Sequence, residues 1–179
     1  QATNGADRLF GVTRGAVDFI VDRRVLARVE RLRDAGDRRL LAILEAIRAH
    51  MPAVHRVSSY CLARNLKKKS VAELTQLREA GLTMAYLGAE SGDDEVLARV
   101  SKGETFETTR DALDKLGAAG ITRSVMILNG LGGQVYSAQH ADNSARLANA
   151  TQPEYLSTLV VSFPKGEARF REGFTEWEP

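Results

Sequence analysis

Cysteine is almost missing: Cys61 is the only one in 179 residues. A lone thiol excludes an internal disulfide and with it the disulfide-stapled class of small secreted domains. It also excludes a four-cysteine zinc site, and it cannot hold an iron–sulfur cluster in the usual way, which takes several thiolates. Histidine is scarce as well. His50, His55 and His140 are the only three, and no Cys, Asp or Glu spacing around them reads as a metal site, so no metal ligand is assigned. No apolar run approaches the ~20 residues of a membrane-spanning helix, and the opening QATNGADRLF carries no apolar signal-peptide segment. The expectation is a cytoplasmic protein with no membrane contact. An excess of one charge is missing too: 25 Lys and Arg stand against 23 Asp and Glu, a net +2. That does not indicate nucleic acid as a partner. The densest basic run, Lys67, Lys68 and Lys69, reads as a solvated loop before a helix.

What is present is ordinary for a globular chain: 44% hydrophobic and 27% charged residues, enough for one domain with a sizeable core over residues 1–179. Short β-branched or aromatic runs predict four strands, at Val54–Leu62, Thr83–Glu90, Thr122–Leu128 and Tyr155–Phe163, with Ala16–Val21 a weaker candidate. Helical periodicity fills the gaps. Leu40, Leu41, Leu44 and Ile47 make one apolar stripe, with Asp37 as N-cap and Pro52 as stop. Ser70 and Glu73 form a capping box for a helix ending at Gly81. Asp93 and Asp94 start another, Thr105–Leu116 is the next, and Ser137–Ala150 is the last.

The strands begin roughly 30–40 residues apart, close to the ~31 of a (β/α)₈ barrel unit. Alternation of β and α argues for an α/β fold with a parallel sheet, helices outside and right-handed crossovers. Four or five strands are too few for a closed barrel, so a partial, incomplete barrel is expected. Residues 1–36 read differently. Asp22–Ala35 is a highly charged helix that runs into the next helix with no strand between.

Ligands of parallel α/β sheets sit at the carboxyl ends of the strands. The residues there are Ser58, Ser59, Tyr60 and Cys61; Gly88, Glu90, Ser91 and Gly92; Asn129, Gly130, Gly132 and Gly133; and Ser162, Pro164 and Lys165. Glu90, ahead of Ser-Gly, can accept bonds from ribose hydroxyls or an ammonium group, or else cap a helix or pair with an arginine. Gly130, Gly132 and Gly133 allow close approach to a flat or anionic ligand, or make a plain tight turn. Cys61 is a nucleophile or an inert buried thiol. His140 faces the site or is a surface or capping residue in a first helical turn. No catalytic residue is assigned.

At these residues the chain resembles the radical S-adenosylmethionine (SAM) superfamily, in the branch of MiaB-like enzymes and oxygen-independent coproporphyrinogen oxidase. The matching segments are RVSSYCLARNLKKKS, LREAGLTMAYLGAESGDDEVLARVSKG, LGAAGITRSVMILNGLGGQVYSAQHADNSARLAN and PEYLSTLVVSFP, in family order over residues 54–164. The resemblance implies a partial (β/α)₆ barrel. It implies a [4Fe–4S] cluster held by a CxxxCxxC loop and SAM bound at its open iron. By position, Gly88, Glu90, Ser91 and Gly92 fall on the motif that meets the SAM ribose or methionine. Asn129, Gly130 and Gly132 fall on the turn near the adenine. The chain departs from the family in its first 36 residues. There TNGADRLFGVTRG puts Thr3, Asp7 and Phe10 where the family has cysteines, and none of these supplies a soft thiolate. The expectation is an Fe–S oxidoreductase-like domain that binds SAM but does no radical chemistry by itself. The alternatives are a cluster-free nucleotide- or SAM-binding module and a purely structural or interaction domain. The family's second strand also reads as absent. Such a gap leaves an open sheet edge, so a homodimer is expected. Phe174 and Trp177, in a polar tail, either dock on the last strand or mark where a longer chain was cut.

Overall fold

The computed structural model describes residues 10–13, 16–21, 36–163, 166–174, 176 and 178. The expected helix over 22–35, the positions of Thr3 and Asp7, Pro164, Lys165 and Trp177 lie outside the described residues. The elements, in order, are β1 Phe10–Thr13, β2 Ala16–Val21, α1 Gly36–His50, β3 Val54–Cys61, α2 Ala63–Leu66, α3 Val71–Ala80 and β4 Leu82–Glu90. Then follow α4 Asp94–Arg99, α5 Phe106–Ala118, β5 Thr122–Asn129, α6 Gly133–Thr151, β6 Tyr155–Val160 and α7 Ala168–Arg171.

The six strands stand in chain order, β1 to β6. β2 runs parallel to β3, with Phe19 opposite Val57 and Val21 opposite Ser59. β5 runs parallel to β6, from Ser124 opposite Tyr155 to Asn129 opposite Val160. This is the α/β parallel sheet of a partial barrel that the strand spacing predicts. β1 is the exception. It pairs antiparallel with β2, Phe10 opposite Phe19 and Thr13 opposite Ala16. Four residues are too short a run for the period-2 pattern to show. The weak candidate strand at 16–21 is β2 itself, the parallel neighbour that β3 requires.

The chain divides into two compact units that interleave in sequence: 1–61, 68–86 and 115–123 in the first, 62–67, 87–114 and 124–179 in the second. In the first, α1 packs on α3 and β3. Leu44 and Ile47 of α1 are buried, as are Val57 of β3, Leu74 and Leu77 of α3, and Leu116 and Ile121. α3 has its capping box: the Ser70 hydroxyl accepts from the Glu73 N–H at 3.2 Å, and the Ser70 N–H donates to Glu73 Oε2 at 2.7 Å. Gly81 ends it at φ +122. The second unit buries Leu87, Ala89, Val96, Leu97, Leu113, Val125, Ile127 and Leu147. It also buries Phe174, which packs with Val96 and Leu131 beside the Phe170 ring at 4.8 Å. Phe174 thus docks in a cluster with Val96 and Leu131, against which Val161 and Phe163, just past β6, also pack.

Three boundaries differ from the sequence reading. α1 begins at Gly36, so Asp37 lies inside the helix. α6 begins at Gly133, four residues before Ser137, and therefore takes in the glycine turn. β6 stops at Val160, and all six of its residues are exposed, so apolar composition there does not report burial.

Candidate functional site

The site is built from the carboxyl end of β4. Side chains alternate along a strand. Leu87 and Ala89 point to one face and are 1% exposed, while Tyr86, Gly88 and Glu90 share the other and are half-buried. Glu90 has φ +66, a left-handed backbone in a residue that is not glycine. Its carboxylate folds back over Gly88, where a Cβ would overlap Oε1. Lys102 Nζ lies 3.0 Å from that oxygen, with the two side chains 14% and 23% exposed. The partner is thus a lysine rather than an arginine. Its backbone is fastened from below: Arg64 Nη1 donates to the Lys102 carbonyl at 3.3 Å, and the Arg64 N–H donates to Glu104 Oε1 at 3.1 Å.

Ser91 and Gly92 turn the other way, into α6. Ser91 is fully buried. Its Oγ lies 2.8 Å from His140 Nδ1 and accepts from the Asp93 N–H at 2.9 Å. The Gly92 N–H donates to Ser144 Oγ at 3.0 Å, and a Cβ on Gly92 would run into the Asn143 carbonyl. Asp93 caps α4 through the Val96 N–H at 2.9 Å and takes Asn143 Nδ2 at 2.6 Å and Gln139 Nε2 at 3.1 Å. Burial pushes the Asp93 carboxyl up, but the bonds from Val96, Asn143, Gln139 and Glu95 together hold it below the usual range. Burial lowers His140 from its ordinary value of 6.5, against the pull of the Leu128 carbonyl and Asp93. The neutral ring has one donor and one acceptor nitrogen. Its Nδ1 faces Ser91, and Leu128 is its backbone partner. His140 is therefore a buried mid-helix residue, not a surface or first-turn one.

The second turn follows β5. Asn129 and Gly130 are exposed, and Gly130 has φ +82. The Val161 N–H donates to the Asn129 carbonyl at 3.0 Å. Gly132 is the N-cap of α6 and bonds through no side chain; a Cβ on it would overlap Tyr136. The Gln134 N–H at this helix start donates to the Glu178 carbonyl at 3.1 Å.

Of the expected site residues, the structure sets Gly88 under Glu90, leaves Asn129 and Gly130 open, and encloses Ser91, Gly92 and Gly132. Cys61 is half-buried and forms no disulfide. Among the described residues no group of three or more His, Cys, Asp or Glu can hold a metal ion. Lys102, Arg64 and Glu104 escape a sequence reading. They sit 12, 26 and 14 residues from Glu90 in a polar stretch, with no motif to single them out.

Residues 37–145 match the sequence profile of the Radical SAM superfamily. Over 137 residues the chain is 26% identical to the tRNA uridine(34) acetyltransferase of Methanocaldococcus infernus, covering 76% of this chain and 25% of the relative. Its fold is similar to the archaeal Elp3 of Methanocaldococcus infernus with its N-terminus deleted (TM-score 0.63, 15% identity, 92% of this chain and 50% of that one). It is also similar to the radical SAM coproporphyrinogen III oxidase of Escherichia coli (TM-score 0.59, 18% identity, 76% and 31%). The chain thus spans a quarter of the curated relative and half or less of these two structures. With a profile match over more than half its length, the chain belongs to the radical SAM superfamily.

Proposed function

We propose that these residues form a SAM-binding part of a radical SAM protein, with Glu90 as the residue that receives the ligand. The observation that carries the proposal is the Glu90 backbone. A non-glycine residue in the left-handed region costs of order 1–3 kcal/mol and persists where its surroundings hold it, which marks ligand sites. Here it aims a half-buried carboxylate along a sheet face, beside an ammonium group. Such a carboxylate accepts ribose hydroxyls or an ammonium. Gly88 keeps the strand bare beneath it, and Asn129 and Gly130 offer an open turn to the adenine. Ser91, Gly92 and Gly132 shape these two turns. A cytoplasmic location goes with this reading.

The [4Fe–4S] cluster of the family supplies the electron that cleaves SAM, and three cysteine thiolates hold it. The residues of this chain do not fit it, because they include one cysteine. For the family's chemistry the thiolates have to come from outside these 179 residues. By themselves the residues support ligand binding and not radical formation.

Calorimetric titration with SAM tests the proposal. The wild-type chain is expected to bind, and Glu90→Gln to bind about tenfold or more weakly, the worth of a hydrogen bond to a charged group. Absence of binding by the folded wild type leaves a structural or interaction domain; equal binding by Glu90→Gln removes Glu90 from the site. Anaerobic reconstitution with iron and sulfide is expected to yield neither a cluster chromophore nor 5′-deoxyadenosine.

A further inference from the structure

Glu90 and Ser91 are neighbours in the chain and face opposite ways. Glu90 reaches Lys102 on the half-buried side, and Ser91 is fully buried against α6. The left-handed residue of this turn is therefore held from its far side, at one hydroxyl. Ser91 Oγ accepts the Asp93 N–H at 2.9 Å and lies 2.8 Å from His140 Nδ1. The next residue is tied to the same helix, through the Gly92 N–H on Ser144 Oγ at 3.0 Å. His140, Asp93 and Ser144 are all buried. Enclosed in this way, His140 acts on the Glu90 side only through Ser91.

We propose that His140 is a positioning residue for the Glu90 turn and serves only as a neutral ring: a proton on it loosens the Ser91 anchor and weakens ligand binding at Glu90. This builds on Glu90 as the residue that receives SAM. A neutral imidazole has one donor and one acceptor nitrogen; a charged one has two donors. Of the ring's two hydrogen-bond neighbours, the Leu128 carbonyl only accepts, whereas the Ser91 hydroxyl also donates. Charging the ring removes the acceptor open to that hydroxyl, and its hydrogen has to find a partner in buried surroundings. A buried polar group without a partner is costly, so Ser91 turns or shifts. Glu90, one peptide bond away in a left-handed conformation that its surroundings have to hold, shifts with it. Asp93, at the start of α4, is the charged group that faces the ring. It does not absorb the effect, because its carboxylate is already engaged by the Val96 N–H, Asn143 Nδ2 and Gln139 Nε2. The Glu90 carboxylate is turned the other way, to Lys102. Burial holds the ring below its ordinary 6.5, so at neutral pH the anchor is intact.

The test follows the His140 ring and the Glu90 and Gly92 amides of the full chain by NMR between about pH 7 and pH 5, without and with SAM. Calorimetry measures SAM affinity over the same range. In the free chain both amides are expected to shift with the midpoint of the His140 ring. A ligand that needs the neutral ring makes the ring harder to protonate, so SAM is expected to lower that midpoint. SAM affinity is expected to fall about fivefold or more as the ring becomes charged. His140→Gln, which carries no titrating ring, is expected to bind SAM with one affinity across the range, whatever its level. Ser91→Ala removes the hydroxyl and is expected to leave the ring titrating while the Glu90 amide and SAM affinity no longer follow it. A native amide spectrum at the lowest pH excludes unfolding as the cause. A Glu90 shift that survives in Ser91→Ala reports only the ring's charge through space and overturns the proposal. So does a wild-type SAM affinity as level with pH as that of His140→Gln. If the Glu90 amide follows the ring through Ser91 but SAM binds at no pH, the anchor stands and Glu90 as the SAM-receiving residue falls.

Discussion

Glu90 sits under two opposing demands. Its backbone conformation suits glycine, yet the proposed SAM site calls for a carboxylate. Comparing Glu90→Gly with Glu90→Ala separates the two, since both lose the ion pair with Lys102 and only alanine keeps the strain. Glu90→Gly is expected to be the more stable by about 1 kcal/mol, from the cost of a left-handed non-glycine residue, and both are expected to lose SAM affinity. Equal unfolding midpoints in urea would mean that the strain is relieved elsewhere. Gly92 is the reverse case. No side chain fits between it and the Asn143 backbone, so Gly92→Ala is expected to cost about 1–3 kcal/mol, read as a lower urea midpoint at unchanged slope. Glu90 was legible in the sequence because a carboxylate at the end of an apolar strand, ahead of Ser-Gly, is a local pattern. Lys102 was not, because its role arises only when the chain folds back through α4.

α6 is the element on which both turns depend. Its Gln139, His140, Asn143 and Ser144 hold the loop after β4, and its first residue closes the turn after β5. The sequence reading started this helix four residues late. Glycines at a helix start look like turn residues, and the buried polar face of α6 breaks the apolar stripe by which an amphipathic helix is recognised. The same polar face has a pH signature. The folded state holds His140 below its ordinary 6.5, so below that value the unfolded chain binds more protons than the folded one. Stability is then full above about pH 6.5 and falls as pH drops toward the folded-state value. Asp93 has the same sign, but its loss begins only below its ordinary 3.8. Urea unfolding at a series of pH values is expected to show a decline that sets in as pH falls below about 6.5. That decline should be absent in His140→Gln, whatever the variant's baseline stability. A wild-type curve flat across that range would contradict a buried neutral His140.

For the molecule as a whole, the alternation of strands and helices and their spacing announced a partial α/β barrel, because both follow from local periodicity. The proposed limit on its chemistry rests on the cysteine count alone. The hairpin strand β1 and the exposure of β6 were not legible. One is too short to carry a pattern, and the other is apolar without being covered. That exposure has a consequence. Tyr155, Leu156, Leu159 and Val160 are 54%, 53%, 51% and 77% exposed, and β6 is the last strand in the sheet order. An edge strand presents unpaired backbone groups, and here it also presents apolar side chains on both faces, without the lysines or prolines that commonly blunt such edges. The chain by itself is therefore expected to self-associate as its concentration rises, read as a growing weight-average mass in light scattering. Leu159→Lys places a charge on one face of β6 and Leu156→Lys on the other. Each is expected to push association to higher concentration while changing stability by no more than about 0.5 kcal/mol, as befits a surface site. If the edge were paired through backbone bonds alone, both lysines would leave the mass unchanged, and a wild-type mass that stays monomeric at every concentration would rule out association through this strand.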